Sequence, residues 1–82
     1  MAKTFHLTVA RVGENIFDGE ALSVVLPGAE GVFTVLAGHE AFVTPLKEGT
    51  IRIQDAEGKV EEMIVDHTGI AEISSNQATV LL

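Results

Sequence analysis

The sequence predicts an all-β fold, a flattened β-sandwich or barrel of about 8–10 short, mostly antiparallel strands. First, apolar and polar residues alternate with a period of two in several runs, which places one set of side chains on a core face. Second, turn-forming residues interrupt these runs at intervals of about 8–12 residues, a spacing typical of sandwiches and barrels. Third, no window shows the periodicity of a convincing amphipathic helix.

Length and composition indicate one domain, which we assign to residues 1–82. Hydrophobic residues make up 46% of the chain, which is enough for a real core. The absence of cysteine excludes disulfides and thiolate metal sites. The sequence has no signal-peptide pattern and no run near the roughly 18 apolar residues of a membrane span, so we expect no direct membrane insertion.

The net charge of -7 argues against a nucleic-acid partner, because binding a phosphate backbone requires clustered Lys and Arg. The chain has only five basic residues, and they are scattered along it. The acidic excess more simply keeps a small apolar domain soluble.

The first half of the chain predicts two strands. Phe5, Leu7 and Val9 alternate with polar or small residues, so His6 is expected on the polar side of the first strand. Further along, every second residue from Leu22 to Leu26 is expected on a core face. Turn signals at Val12-Gly13 and Asp18-Gly19 lie between these runs.

The middle segment, Pro27–Phe42, contains turn signals, a short strand and a corner that bears a histidine. Glycines at positions 28, 31 and 38 indicate tight turns, and Gly28 and Gly31 bracket a short connection between strands. Apolar residues fill most of the intervals between the glycines. Such a segment is suited to present backbone and side chains at a surface while it stays anchored in a core.

The second half predicts a hairpin and two further strands. Thr50–Gln54 and Val60–Asp66 read as strands joined by a polar tip. A helix over Glu57–Val65 is disfavoured by Gly58 and by the β-branched residues of that window. Gln77–Leu82 is a final apolar strand.

The sequence contains no pattern typical of a catalytic or metal-binding site. The three histidines (His6, His39 and His67) have no metal-ligand spacing. The pairs His39-Glu40 and Asp66-His67 are expected to point to opposite faces of a strand. No serine lies in a nucleophile elbow, and no glycine-rich segment continues into a phosphate-binding lysine. We therefore expect no catalytic residue, no metal, no cofactor and no small-molecule substrate.

What remains is a surface for another protein. The corner Leu36–Val43 combines apolar residues with Gly38-His39-Glu40, and a domain this small is expected to leave one or two of them uncovered. The alternative is that Phe42 and Val43 simply enter the core as the next strand begins.

Five segments together resemble a known family. In order they are Phe5-His6-Leu7-Thr8-Val9, Ile16-Phe17-Asp18-Gly19, Gly28-Ala29-Glu30-Gly31, Gly38-His39-Glu40-Ala41 and Lys47–Ile53. Their order and spacing are similar to the N-terminal β-sandwich of the epsilon subunit of bacterial F-type ATP synthase, from about Thr4 to Leu82.

The resemblance implies a structural role. The domain would be a non-catalytic rotor subunit of the central stalk, clamped to the gamma subunit and resting on the loops of the membrane c-ring. It would help to couple proton translocation to ATP synthesis, as a peripheral component on the cytoplasmic side of the inner membrane. The family's C-terminal helical domain is expected to be absent, because the sequence stops where the sandwich ends.

The resemblance also implies two sets of contact residues. The gamma-facing set is Arg11, His39, Phe42 and Thr44. The c-ring-facing set is Gly28, Glu30, Gly31, Val32 and Phe33. The family commonly has an acidic residue at the position of Val32, so an apolar contact through Val32 or Phe33 is expected to replace a charge pair. A proline frequent in the family is Ala41 here.

Two other functional classes remain open at this point. A free-standing β-sandwich module that binds a peptide or small ligand predicts a concave pocket, whereas a stalk subunit predicts a flat or convex contact face. An enzyme predicts that His39, Glu40 or Asp66-His67 converge in a cleft.

Overall fold

The computed structural model describes residues 3–82, which form eight β-strands. The strands are β1 (Phe5–Arg11), β2 (Glu14–Gly28), β3 (Gly31–Leu36), β4 (Phe42–Leu46), β5 (Gly49–Asp55), β6 (Val60–Val65), β7 (Gly69–Ser74) and β8 (Gln77–Leu81). The all-β prediction is confirmed. Within the described residues, no helix of a length and hydropathy suited to crossing a bilayer occurs.

The long strand β2 organises the sandwich, because its two halves pair with different partners. Its first half pairs with β1, and its second half pairs with β3 on one side and β5 on the other. All eight strands belong to one hydrogen-bonded sheet. Because β2 is shared, the sheet divides into one layer with the order β2-β1-β8-β7-β4 and another with the order β3-β2-β5-β6. Among the strands of residues 3–82, only β1 and β8 pair in parallel, in agreement with the prediction of mostly antiparallel strands.

The core lies between these layers. Phe5, Leu7 and Val9 of β1 are buried, as their alternation predicts. The second layer contributes Ile51 and Ile53 of β5 among other aliphatic side chains. Burying each such side chain contributes about 1.5–3 kcal/mol before the entropic cost of ordering it. Among residues 3–82 no polar or charged residue is buried, so aliphatic packing holds the layers together.

Two predicted turn signals lie inside β2, which corrects the sequence interpretation. Asp18 and Gly19 pair with β1 without interruption. Pro27 sits in a central strand, where its missing N–H would normally cost a ladder hydrogen bond. Its carbonyl accepts a hydrogen bond from the N–H of Lys47 at 2.9 Å, so its nitrogen faces that loop and the pairing with β3 is intact.

The alternation predicted along the second half of β2 is also wrong at its start. Ala21 is buried together with Val24 and Leu26, although it was expected on the opposite face. The pairing with β5 shifts between Ala21 and Ser23, where Leu22 is an extra residue on the β2 side. This β-bulge changes the facing of the residues before it, and it lies where β2 passes from one layer to the other.

The predicted hairpin in the second half is confirmed as β5 and β6. Its polar tip is ordered by Asp55, whose side-chain Oδ1 accepts hydrogen bonds from the backbone N–H groups of Glu57 and Lys59, both at 2.9 Å. Strand, not helix, extends over Val60–Val65.

Candidate functional site, a groove between two edge strands

An open groove lies between β3 of one layer and β4 of the other. Its volume is about 500 Å³. We call it the β3–β4 groove, lined by Gly28, Glu30, Gly31, Val32, Phe33, His39, Phe42, Val43 and Thr44. β3 pairs only with β2, and β4 pairs with β7 and, at one residue, with the end of β2. The groove therefore forms where the two layers are not closed by a further strand.

The hairpin that connects β2 to β3 sets one wall of the groove. Gly28 pairs with Gly31 across a two-residue turn. Gly31 has a φ of +141°, a conformation that residues with a Cβ rarely adopt. A Cβ on Gly28 would lie 2.7 Å from the Gly31 carbonyl oxygen and 2.9 Å from the Phe33 ring. Glycine at position 28 thus allows the Phe33 ring to lie directly on the backbone.

Aromatic contacts join the two walls. The rings of Phe33 and Phe42 meet edge to face, with centroids 5.3 Å apart. The His39 ring lies 5.0 Å from the Phe42 ring. Phe42 is half-buried and packs against the core. It therefore combines the two alternatives that the sequence left open, entry into the core and a place on the contact surface.

His39 presents one ring nitrogen to the surroundings. Its Nδ1 lies 2.8 Å from the carbonyl oxygen of Glu40, which can only accept, so Nδ1 carries the proton and donates. In the neutral ring, Nε2 is then left as an acceptor for a partner's donor. This assignment follows from the hydrogen-bond geometry.

The rim of the groove is apolar and acidic. Val32 is 69% exposed and Val43 is 59% exposed. Glu30 is exposed on the hairpin at one end of the groove, and Glu40 is exposed beside His39. No lysine or arginine is among the lining residues.

Eight of the nine predicted contact residues line this single groove. The sequence assigned them to two partners, and the structure does not separate the two sets. Val43, which was not assigned to either partner, lies among them, and its signal was its place in the apolar corner 36–43.

Arg11 is the exception. Phe5, at the start of β1, borders the same small depression as His39. Arg11 lies at the other end of β1, six residues from Phe5. At about 3.3 Å per residue, this separation is about 20 Å. Arg11 is therefore not part of the groove.

In the described part of the chain, His39 and the Asp66–His67 pair line different depressions. Asp66 and His67 lie in a separate depression, beside Lys47. They do contact each other, with Nδ1 of His67 2.6 Å from Oδ1 of Asp66, which corrects the expectation that such neighbours diverge. The pair follows β6 and is not in a strand, so the alternation rule does not apply to it. The hydrogen bond from His67 lowers the pKa of Asp66.

Within residues 3–82, no three histidine or acidic side chains are grouped as metal ligands would be. The closest arrangement is on the outer face of β1 and β2, where His6 lies 2.6 Å from Asp18 and 3.2 Å from Glu20. Each carboxylate contacts a different ring nitrogen, so the oxygens do not point to a common centre.

The β3–β4 groove is shallow and open, nearer to the flat face expected for a stalk subunit than to an enclosed pocket. The binding-module alternative predicts a concave pocket, and this groove is only a shallow depression, so its shape does not favour that alternative. The groove is wide open and lined by strand edges and aromatic rings, so its dimensions suit an extended polypeptide better than an enclosed small molecule.

Comparisons with known proteins give a consistent result. The family profile described as "ATP synthase, Delta/Epsilon chain, beta-sandwich domain" matches residues 4–82. The ATP synthase epsilon chain of Desulforapulum autotrophicum is 42% identical over 81 residues, which cover 99% of this chain and 59% of that protein. The ATP synthase epsilon chain of Delftia acidovorans is 40% identical over 78 residues, covering 95% and 56%. The chain thus spans somewhat more than half the length of these relatives.

Solved structures share the fold. A chain in a cryo-EM structure of the Euglena gracilis mitochondrial ATP synthase that includes the c-ring superposes with a TM-score of 0.87 at 25% identity, over 95% of this chain and 49% of that chain. A chain in the central stalk and c-ring structure of the Tetrahymena thermophila mitochondrial ATP synthase gives a TM-score of 0.76 at 13% identity, over 96% and 63%, and shows the fold alone.

Proposed function

The chain belongs to the family of the ATP synthase delta/epsilon chain β-sandwich domain, and we propose that it serves as a non-catalytic rotor subunit of the central stalk. In this role it links the gamma subunit to the loops of the c-ring. It transmits rotation driven by proton translocation to the sites of ATP synthesis and performs no chemistry itself. It acts on the cytoplasmic side of the inner membrane, as a peripheral part of the complex.

The observation that carries this proposal is the β3–β4 groove. The groove combines the exposed side chains of Val32 and Val43 and half-buried aromatic rings with polar lining groups. Such surfaces mark protein contacts. Apart from Arg11, the residues that the family resemblance assigns to the gamma subunit and to the c-ring lie there, so one surface can touch both partners where the stalk joins the ring.

The proposal includes a direct contact between Val32 and the c-ring. Replacing Val32 with Lys puts a charge at a side chain that is 69% exposed, so the fold should tolerate it. Docking of the stalk on the ring should weaken by about tenfold or more, since a desolvated charge without a partner opposes apolar contact. The measurement is pull-down of purified c-ring by the complex of this chain with the gamma subunit.

The matched control is Ile64→Lys, on β6, at a side chain that is 65% exposed and lies outside the groove. It should leave docking unchanged. Equal loss of docking in both variants would contradict a specific role for Val32. A large fall in the melting temperature of Val32→Lys alone would show that Val32 is needed for folding.

A further inference from the structure

The free edges of the sandwich differ in how they are protected against pairing with another chain. In natural proteins, charged side chains, proline or β-bulges usually prevent an edge strand from pairing with another chain. The β6 edge carries Glu61 and Glu62, and the first half of β2 carries Asp18 and Glu20. β3 has the sequence Gly-Val-Phe-Thr-Val-Leu, with no charge and no proline. It is also rich in β-branched and aromatic residues, which favour strand pairing.

The direction of the β3 backbone groups follows from its pairing with β2. Pro27 turns its carbonyl away from β3, toward Lys47, so Pro27 and its partner Val32 form a pair that exchanges no hydrogen bond. In an antiparallel ladder such pairs alternate with bonded ones. The N–H and C=O groups of Val32 and Thr34 therefore point to the open side, whereas those of Phe33 and Val35 bond to β2.

Two other contacts support this orientation. The carbonyl of Leu36, which has the same parity as Thr34, accepts a hydrogen bond from the N–H of His39, where the chain turns toward β4. On the other wall, the carbonyl of Pro45 is directed to Ala29, so Val43 also directs its backbone groups into the groove. For the groups of Val32, Thr34 and Val43, no backbone partner occurs among the described residues.

These groups require a partner of matching geometry. An extended strand is the element that offers N–H and C=O groups at the same spacing, and its side chains can use the apolar rim above Phe33. Glu30 and Glu40 flank the groove without any lining lysine or arginine. The charge of this surface therefore favours a segment with basic residues near its ends. A second copy of this chain, with its own net charge of -7, is disfavoured.

We infer that β3 extends its sheet by pairing edge to edge with a strand-forming, basic-flanked segment of the gamma subunit. This inference rests on the proposed function and adds the mode of contact. The added strand would bond to Val32 and Thr34, and its side chains would contact the groove wall that His39 and Phe42 form.

A matched pair of variants separates backbone pairing from side-chain contact. Thr34→Pro removes an N–H group that points away from β2 and makes no hydrogen bond within the sheet. The preceding residue, Phe33, has an extended backbone, which is compatible with a following proline. Thr34→Ala removes the side chain and keeps that N–H. Binding of the purified gamma subunit should fall about tenfold or more for Thr34→Pro and change less than about threefold for Thr34→Ala. Both variants should keep the wild-type circular dichroism spectrum.

Amide exchange of the ¹⁵N-labelled wild-type chain tests the same inference without a variant. In the free chain the amides of Val32 and Thr34 should exchange rapidly, whereas that of Val35 should be protected. Addition of the gamma subunit should slow exchange at Val32 and Thr34 by about 100-fold or more.

The outcomes are distinct. If the wild-type chain does not bind the gamma subunit, the proposed function fails, and this inference fails with it. If the wild-type chain binds but Thr34→Pro binds equally well, or Val32 and Thr34 stay unprotected, edge pairing is wrong while the proposed function stands. Protection that appears in the chain alone as its concentration rises would identify a second copy as the occupant and overturn the inference.

Discussion

At the scale of single residues, the outer face of β1 and β2 contains a histidine bridged by two carboxylates. His6 Nε2 contacts Asp18 and Nδ1 contacts Glu20. Thr4 donates to Glu20, and Thr8 lies at the limit of hydrogen-bond distance from Asp18. The hydrogen bonds to Asp18 and then Glu20 raise the pKa of His6 above its ordinary value of 6.5. The bridge is solvent-exposed, so it modulates stability modestly.

This bridge predicts a pH-dependent stability. Because the pKa of His6 is higher in the folded chain, its stabilising contribution is complete below the unfolded pKa and is lost as pH rises through the folded pKa. The melting temperature of the wild-type chain, relative to that of His6→Gln, should therefore fall from about pH 5.5 to about pH 8.5. Thermal unfolding followed by circular dichroism measures it.

The control for His6 is the same comparison in a background with Asp18→Asn and Glu20→Gln. In that background, the difference in melting temperature between the chain with His6 and the chain with His6→Gln should no longer fall as the pH rises. Parallel pH profiles of the wild-type chain and His6→Gln would contradict the bridge.

Part of this arrangement could be predicted from the sequence. Alternation placed His6 on the polar side of its strand, which the structure confirms. The two carboxylates could not be foreseen, because the Asp18-Gly19 pair read as a turn, and a turn there would have removed the register that sets His6 opposite Glu20.

At the scale of elements, the junction of β2, β3 and β4 depends on Gly28. Gly28 pairs with both Gly31 and Leu46, and Phe33 packs on it. Gly28→Ala would push a methyl group against the backbone carbonyl of Gly31, which cannot move without disturbing the hairpin. The variant should lose about 1–3 kcal/mol of unfolding free energy. Urea denaturation monitored by circular dichroism measures this loss.

Gly19→Ala is the matched control on the same strand. Its added methyl group would meet only the Phe17 ring at an ordinary distance of 3.9 Å. It should change the unfolding free energy by less than about 1 kcal/mol. A stabilising change is compatible with this expectation, because glycine in a strand loses more conformational entropy on folding than alanine does. Equal destabilisation by both substitutions would show that close packing at Gly28 is not the reason for glycine there.

Strand-level prediction succeeded where alternation was regular and failed where β2 changes layers. Phe5, Leu7 and Val9 of β1 were placed in the core correctly. Ala21 was not, because a bulge adds one residue at Leu22 and no single-sequence pattern marks it. The alternation of apolar and polar residues could not predict the groove either, because the groove depends on how two edge strands of different layers approach each other.

At the scale of the whole molecule, the open side of the sandwich brings residues 28–33 and 39–44 together. The family resemblance supplied nine contact residues, Arg11 among them, and divided them between two partners. The structure joins all of them except Arg11 in one groove, flanked by acidic residues and bordered by an unprotected strand edge. Joining them required the pairing of β2 with both β1 and β3, which is a property of the complete fold.

Chemical-shift mapping with the gamma subunit tests the central claim most directly. The ¹⁵N-labelled chain is titrated with purified gamma subunit, and the backbone amide shifts are followed residue by residue. Shift changes should concentrate in residues 28–34 and 39–44 and be absent from the tip of the β5–β6 hairpin at residues 56–59. Shift changes confined to that tip, or no change at any residue at saturating gamma subunit, would contradict it.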